Sequence, residues 1–211
     1  MGMHYHHLIF GPPTLARQKA SGSIVAYGGD LGSPDQGPQP LGGREIELLT
    51  NCFQLHMATL SPTGWPYIQY RSGPPGFLHH VGGRTIGFAD HQGNQQYVSV
   101  GNIEANGKVA LFVADMPVRA RLKLFGTARI VEADEDPDLL ERLRALPGGL
   151  RVGARCERSI LIDVEAYDWN CRRSLVPQYT EEEVRARMQP YLDEIAALRA
   201  EVDRLRADAG E

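Results

Sequence analysis

The sequence predicts a mainly β fold with added helices (β+α): six antiparallel strands closing on a barrel, peripheral helices, and a C-terminal amphipathic helix. Two observations point there. Six short segments between residues 53 and 164 show strand-type alternation or β-branched runs, most of them parted by tight-turn residues. The tail carries a helix-start signature followed by apolar residues at spacings of four and three.

The elements follow in order. Residues 1–43 read as a helical and loop extension. Thr14 caps one or two helical turns through Lys19, and the run GGDLGSPDQGPQPLGG over 28–43 is loop by composition. Residues 44–51 predict a short helix with Ile46, Leu48 and Leu49 as its apolar positions. Residues 53–60 alternate, meet the turn Ser61-Pro62-Thr63-Gly64 and return over 66–71, a hairpin. Residues 85–89 form a third strand and 109–114 a fourth, apolar enough to be buried. The turn at Met116-Pro117 introduces a fifth over 121–132. A helix over 138–146 stops at Pro147-Gly148-Gly149, and 159–164 form the sixth strand. There Ile160 and Ile162 share one face, with Leu161 and Val164 nearer the other.

In the tail, Thr180 followed by Glu183 is a capping box, in which hydroxyl and carboxylate each satisfy an orphan backbone N–H. Val184, Met188, Tyr191, Ile195, Leu198, Val202 and Leu205 then repeat as a heptad seam. Pro190 is expected to kink or restart the helix. A helix packed on its own barrel and a helix paired with a second subunit both produce such a stripe. The organisation is thus 1–43 extension, 44–178 barrel, 179–211 C-terminal helix.

Composition narrows the function. A net charge of -4 gives no reason to expect nucleic acid or an anionic membrane as partner. No run approaches the ~20 apolar residues of a membrane helix. Three cysteines, Cys52, Cys156 and Cys171, without CxxC spacing fit a reducing, cytoplasmic setting rather than a disulfide framework or zinc site. His4, His6, His7, His79 and His80 lack the spacing and acidic partners of a catalytic metal site, so no metal is expected. GxSxG, Walker-type and GxGxxG motifs are absent from the sequence.

Three clusters remain that can carry chemistry. Gln69-Tyr70-Arg71-Ser72, running into Gly73-Pro74-Pro75-Gly76, places a guanidinium, a hydroxyl and free backbone N–H groups at a strand end, a set suited to an anion. Asp90-His91-Gln92-Gly93-Asn94-Gln95-Gln96-Tyr97 puts amide side chains ahead of a helix start. Arg121 and Lys123 share one strand face, where two cations repel unless an anion or a carboxylate lies between them. Each cluster alone is equally compatible with a solvated loop or a surface strand.

In order, these clusters give the chain a clear likeness. MATLSPTGWPYIQYRSGPPGFL (57–78), TIGFADHQGNQQYVSVGNI (85–103), RARLKLFGTARIVE (119–132) and IDVEAYDWNC (162–171) resemble the pyridoxamine 5'-phosphate oxidase-related FMN-binding split-barrel family. The likeness covers residues 53–171, with a looser match over 15–27. It implies a six-stranded split barrel that dimerises, with FMN held in clefts between two subunits and a small molecule as substrate. By position, Gln69, Tyr70, Arg71 and Ser72 would run along the flavin and its phosphate tail, and Ala89 and Asp90 under the ribityl chain and ring. Arg121, with Lys123 on the same face, would lie near the ring, and Trp169 and Asn170 would wall it.

The departures from the family pattern shape the functional expectation. Asn94, Gln95 and Gln96 stand where the family's vitamin B6 oxidases carry a Ser-Arg-Lys phosphate grip, so two cations are replaced by uncharged amides. Those oxidases also end in an Arg-x-His substrate motif, for which this chain offers Asp168-Trp169-Asn170-Cys171. The expectation is therefore an FMN-dependent oxidoreductase that does not perform B6 phosphate oxidation. The alternatives are a non-catalytic carrier or sensor of flavin or haem, or a deazaflavin-dependent reductase on the same fold. No proton-transfer residue is singled out; His79, His80 and His91 are the candidates.

Overall fold

The computed structural model describes residues 3–27, 32–170, 173 and 175–209. Residues 28–31 of the expected loop, and Cys171 of the last matched motif, lie outside them. Contacts divide the chain into two units, Met1–Asp115 with Ala120–Arg173, and Met116–Arg119 with Ser174–Glu211.

The first unit opens with α1 (Met3–Ile9), α2 (Pro12–Ser21) and α3 (Ile24–Tyr27). Gly11, not Thr14, is the N-cap of α2, because Pro12 and Pro13 occupy the first turn. Proline suits that place, since its φ is already helical and its missing N–H would have had no partner. The helix α1 has no sequence signal; it is held where Tyr5 packs against Phe125, ring centroids 5.7 Å apart. The expected helix over 44–51 appears as α4 (Gly43–Asn51), with Leu49 buried.

Strands β1 (Gln54–Leu60), β2 (Pro66–Ser72), β3 (His79–Gly82), β4 (Thr85–His91), β5 (Lys108–Asp115), β6 (Ala120–Glu132) and β7 (Cys156–Trp169) form one antiparallel sheet. Its order is β2-β1-β5-β6-β7-β4-β3. Seven strands replace the expected six. The addition, β3, is a four-residue edge strand that turns through Gly83-Arg84 into β4, and a segment so short has no readable period. Gly83 sits at φ +56°, the left-handed region where a side chain is strained. Helix α5 (Val98–Asn106) follows β4, and α6 (Pro137–Arg144) follows β6, its cap Asp136 accepting from the Leu139 N–H at 2.9 Å.

The sheet curls around one apolar cluster. Leu55 and Met57 of β1, Val113 of β5, Leu122 and Leu124 of β6, Ile160 and Ile162 of β7 and Ile86 of β4 are all buried in it. Val164 joins Ile160 and Ile162 rather than Leu161, as strand alternation dictates. Leu161 and Ala89 instead pack with Leu139, Leu140 and Leu143 of α6. Each fully buried Leu or Ile contributes about 1.5–3 kcal/mol. The architecture is a split barrel, mainly β with helices at its margins. Curling also brings an edge strand, β2, to β4 across the split, although β1, β5, β6 and β7 lie between them in the sheet.

In the second unit, α7 (Glu181–Asp208) carries the predicted capping box. The Glu183 N–H donates to Thr180 Oγ1 at 3.2 Å, and the Thr180 N–H donates to Glu183 Oε2 at 2.7 Å. Pro190 does not restart it; the helix runs on as one element, and none of its residues is buried.

The long β6–β7 ladder contains a bulge at Phe125/Gly126. A Cβ on Gly126 would lie 2.7 Å from the Asp163 carbonyl oxygen and 2.8 Å from Ile162 Cγ2. Gly126→Ala should therefore cost about 1–3 kcal/mol through overpacking. Gly93→Ala, where a Cβ meets nothing within 4 Å, should stay within about 0.5 kcal/mol of wild type. Urea unfolding of both variants checks this, and equal midpoints would show that the bulge tolerates a side chain.

Candidate functional site

A cleft of 330 Å³ opens where β2, β4, the 92–97 loop, the start of α5 and the start of β7 converge. That lies at the lower end of ligand-pocket sizes. Gln69, Tyr70, Arg71, Ser72, Asp90, Asn94, Gln95 and Gln96 all line it, so the first two sequence clusters form one site.

Its centre is a charge chain. Arg71 Nη1 donates to Asp90 Oδ1 at 2.8 Å, the contact that spans the split. On the other side Arg158, directly opposite Asp90 in the β4–β7 register, places Nη1 3.7 Å from Oδ2. Arg158 also donates to Glu132 at 3.0 Å, lies 3.3 Å from Glu157, and stacks over Tyr97 at 5.0 Å. Burial pushes the Asp90 carboxyl above its ordinary value, while Arg71 and Arg158 pull it back. For Arg158 burial opposes the charge, but Glu132, Asp90 and Glu157 outweigh it and raise the pKa.

One wall is built to present donors. Gln95 and Tyr97 hold φ of 60° and 52°, unusual for residues with side chains. Asn94 folds back to accept the Gln96 N–H at 3.2 Å. Tyr97 is the N-cap of α5 and makes no side-chain cap, while Val98, Ser99 and Val100 of the first turn line the cleft. A helix start without a cap presents free N–H groups and the positive end of the dipole. Buried Asn102 anchors α5 by donating to Thr59 of β1 at 2.9 Å. On the facing side Arg71 Nε is buried and has no hydrogen-bond partner. These donors fit the phosphate end of a nucleotide cofactor. The neighbouring carboxylates Asp90 and Glu157 offset much of the positive charge.

The remaining site residues lie elsewhere. Ala89 turns into the apolar cluster under α6. Arg121, Lys123, Trp169 and Asn170 gather at the opposite end of β7, where Leu122 pairs with Trp169 and Lys123 with Asp168. Lys123 Nζ donates to Tyr5 Oη at 2.9 Å and lies 3.2 Å from Asp168 Oδ2. Burial lowers its pKa, but Tyr5 and Asp168 overturn that and raise it, so it remains a cation near neutral pH. Trp169 Nε1 donates to Glu45 at 2.5 Å, with the Arg44 guanidinium 3.8 Å over its ring. Arg121 Nε and Asn170 Oδ1 are buried without hydrogen-bond partners. Arg158 and Trp169 stand roughly 35 Å apart along the strand, while the registers place Arg71 three strands across the sheet from Leu122.

Sequence reasoning missed Arg158, Glu157 and Ser99. Only the β4–β7 register puts Arg158 beside Asp90; an Asp-Arg pair 68 positions apart carries no local signal. Of His79, His80 and His91, only His91 lines the cleft. His79 is half-buried, and burial lowers its pKa; His80 contacts the Gly83 carbonyl at 3.0 Å. Cys52 is no nucleophile, since burial raises its thiol pKa to about 12. Among the described residues, no group of three or more His, Cys, Asp or Glu side chains is placed to hold a metal, and no helix is long and apolar enough to cross a membrane.

Comparison with known proteins adds the following. The sequence-family model for pyridoxamine 5'-phosphate oxidase matches residues 46–165. Among solved structures, HupZ of Group A Streptococcus is 19% identical, with a TM-score of 0.48 over 66% of this chain and 99% of that one. Rv2991 from Mycobacterium tuberculosis is 16% identical, with a TM-score of 0.48 over 66% of this chain and 91% of that one. An F420 reductase is 22% identical, with a TM-score of 0.42 over 58% of this chain and 94% of that one. No curated protein matches the chain.

Arg71→Ala tests the charge chain. Breaking a buried pair costs about 3–5 kcal/mol, and Arg158 remains beside Asp90, so a loss of about 3 kcal/mol is expected at pH 7. Without Arg71 the Asp90 carboxyl is harder to ionise. The deficit is therefore full above the Asp90 pKa and shrinks as pH falls through it and the acid protonates. Urea unfolding at neutral and acid pH measures the difference, and a pH-independent deficit would mean that Asp90 is not the group involved.

Proposed function

Because the chain belongs to the pyridoxamine 5'-phosphate oxidase family, we propose that it is a cytoplasmic FMN-dependent oxidoreductase acting on a small molecule other than a vitamin B6 phosphate. The observation that carries this reading is the donor set of the cleft. Arg71, Ser72, Gln95 and Gln96 line the cleft together with the uncapped first turn of α5. Bound there, FMN supplies hydride transfer, and the protein supplies orientation and charge.

The chain's own residues divide the work. Arg71, Ser72 and the α5 N–H groups hold the phosphate, and Asp90 fixes the Arg71 guanidinium in place. Arg121 and Lys123 supply positive charge toward the ring, and Trp169 and Asn170 wall it off from water. As the family resemblance implies a cleft between subunits, each complete site takes its phosphate end from one subunit and its ring end from another. A homodimer with two shared sites follows from this reading.

Two measurements test it. Purified protein should show flavin absorbance, and the ligand released on denaturation should have the mass of FMN; a deazaflavin or haem would overturn the cofactor assignment. Arg121→Ala with Lys123→Ala should weaken FMN binding tenfold or more, since charge-assisted contacts are worth about 1.5–3 kcal/mol each. A Gln95→Glu variant should bind FMN weakly through repulsion of the phosphate. Mixed dimers of the two variants contain one site with both defects and one intact site, so half the sites should bind at wild-type affinity. Failure of mixing to restore any tight site would show that each site belongs to one subunit.

Turnover of pyridoxamine or pyridoxine 5'-phosphate should fall well below about 1 per second. Oxidation requires a clamp that holds the reacting carbon against the flavin. Where the family's B6 oxidases place an Arg-x-His clamp this chain has Asp168, already paired with Lys123, followed by Trp169 and Asn170. Assay of FMN-loaded protein under air for pyridoxal phosphate decides the matter; ordinary enzymatic turnover would restore the family's usual substrate.

A further inference from the structure

We propose that α7 pairs with α7 of a second copy of the chain as a parallel, in-register, two-stranded coiled coil, over the stretch beyond Pro190. The inference rests on the tail alone and does not depend on the flavin reading.

The apolar stripe is uncovered. Tyr191, Ile195, Leu198, Val202 and Leu205 are between 45% and 68% exposed, an unusual load of large apolar side chains on one helix face. Their spacing assigns Ile195 and Val202 to heptad position a, and Tyr191, Leu198 and Leu205 to position d. Branched Ile and Val at a with Leu at d is the combination that favours two parallel strands. Pro190 falls at the outward-facing c position, so it leaves the seam after it intact.

The flanking charges select both partner and direction. Glu194 and Glu201 occupy g, and Arg199 and Arg206 occupy e. In a parallel pair each g residue faces the e residue five positions further along the other helix. Glu194 then meets Arg199 of the second copy, and Glu201 meets Arg206 of the second copy, giving four opposite-charge pairs by symmetry. In an antiparallel pair g faces g and e faces e, setting Glu against Glu and Arg against Arg. Glu201 already holds Arg204 within its own helix at 3.0 Å, an exposed contact that leaves the g position available. The complement of this seam is therefore another copy of the same helix.

The test uses the full-length protein. With Leu205→Cys, mild oxidation should give a disulfide-linked dimer well above the background of the three native cysteines. Ala200→Cys, on the outward f position, should stay at background. An antiparallel pair centred on Leu198 would hold the two 205 positions about 21 Å apart, beyond disulfide reach. Adding Glu194→Arg and Glu201→Arg should cut the Leu205→Cys cross-link about tenfold or more by making all four pairs repulsive. Further adding Arg199→Glu and Arg206→Glu should bring it back. Background-level linking of Leu205→Cys, or a yield unmoved by the charge reversals, overturns the proposal, whatever mass the rest of the protein shows in solution.

Discussion

The contact between Arg71 and Asp90 is the constraint around which the first unit is arranged. β2 and β4 are first and sixth in the strand order, so hydrogen-bonded pairing does not join them. What meets across the split is a 2.8 Å ion pair, its acid nearly fully buried. Such a pair gives little net stability, because desolvation consumes most of the attraction, yet loss of either member leaves a costly orphan charge. It therefore acts as a register device. It ties β2 to β4 beside the cleft, while the apolar cluster shared by β1 and β4 closes the sheet beneath it.

A second constraint is the length of β7. Fourteen residues long, it pairs with β6 on one side and β4 on the other, so it fixes where every other strand lies. It also carries polar side chains at both ends, Arg158 at the start and Asp168 with Trp169 at the finish.

Much of this was legible in the sequence, for local reasons. The 61–64 turn, the alternation around it and the capping box at Thr180 depend on neighbours within four residues, and each appears as expected. The Gln69–Ser72 and Asn94–Gln96 groups were recognisable as donors, and the fold brings them together. What sequence missed was set by distant partners. β3 has four residues and exists because β4 offers it an edge; α1 is held by Tyr5 against Phe125. Thr14 lost the capping role to Gly11 once two prolines took the first turn. The weight of Asp90 was invisible until register put Arg158 opposite it, since the same residue in a loop would be solvated.

The cleft's electrostatics then bear on how an anion is recognised there. Gln95 and Gln96 bring hydrogen bonds without charge, and Asp90 and Glu157 cancel much of what Arg71 and Arg158 supply. Under the proposed reading, recognition falls to directed donors, namely the first-turn N–H groups of α5 and the amides of Gln95 and Gln96. Their positions depend on a loop that keeps two non-glycine residues, Gln95 and Tyr97, in the left-handed region, a strain of about 1–3 kcal/mol each. Strain of that size persists only where the surroundings over-determine it, here through the Asn94 turn, the Tyr97–Arg158 stack and the Asn102–Thr59 anchor. Side-chain cations would tolerate a loose loop, because Coulomb attraction falls slowly with distance. Backbone donors lose their bonds within a few tenths of an ångström, so a rigid wall, rather than net charge, is what the proposed phosphate contact requires.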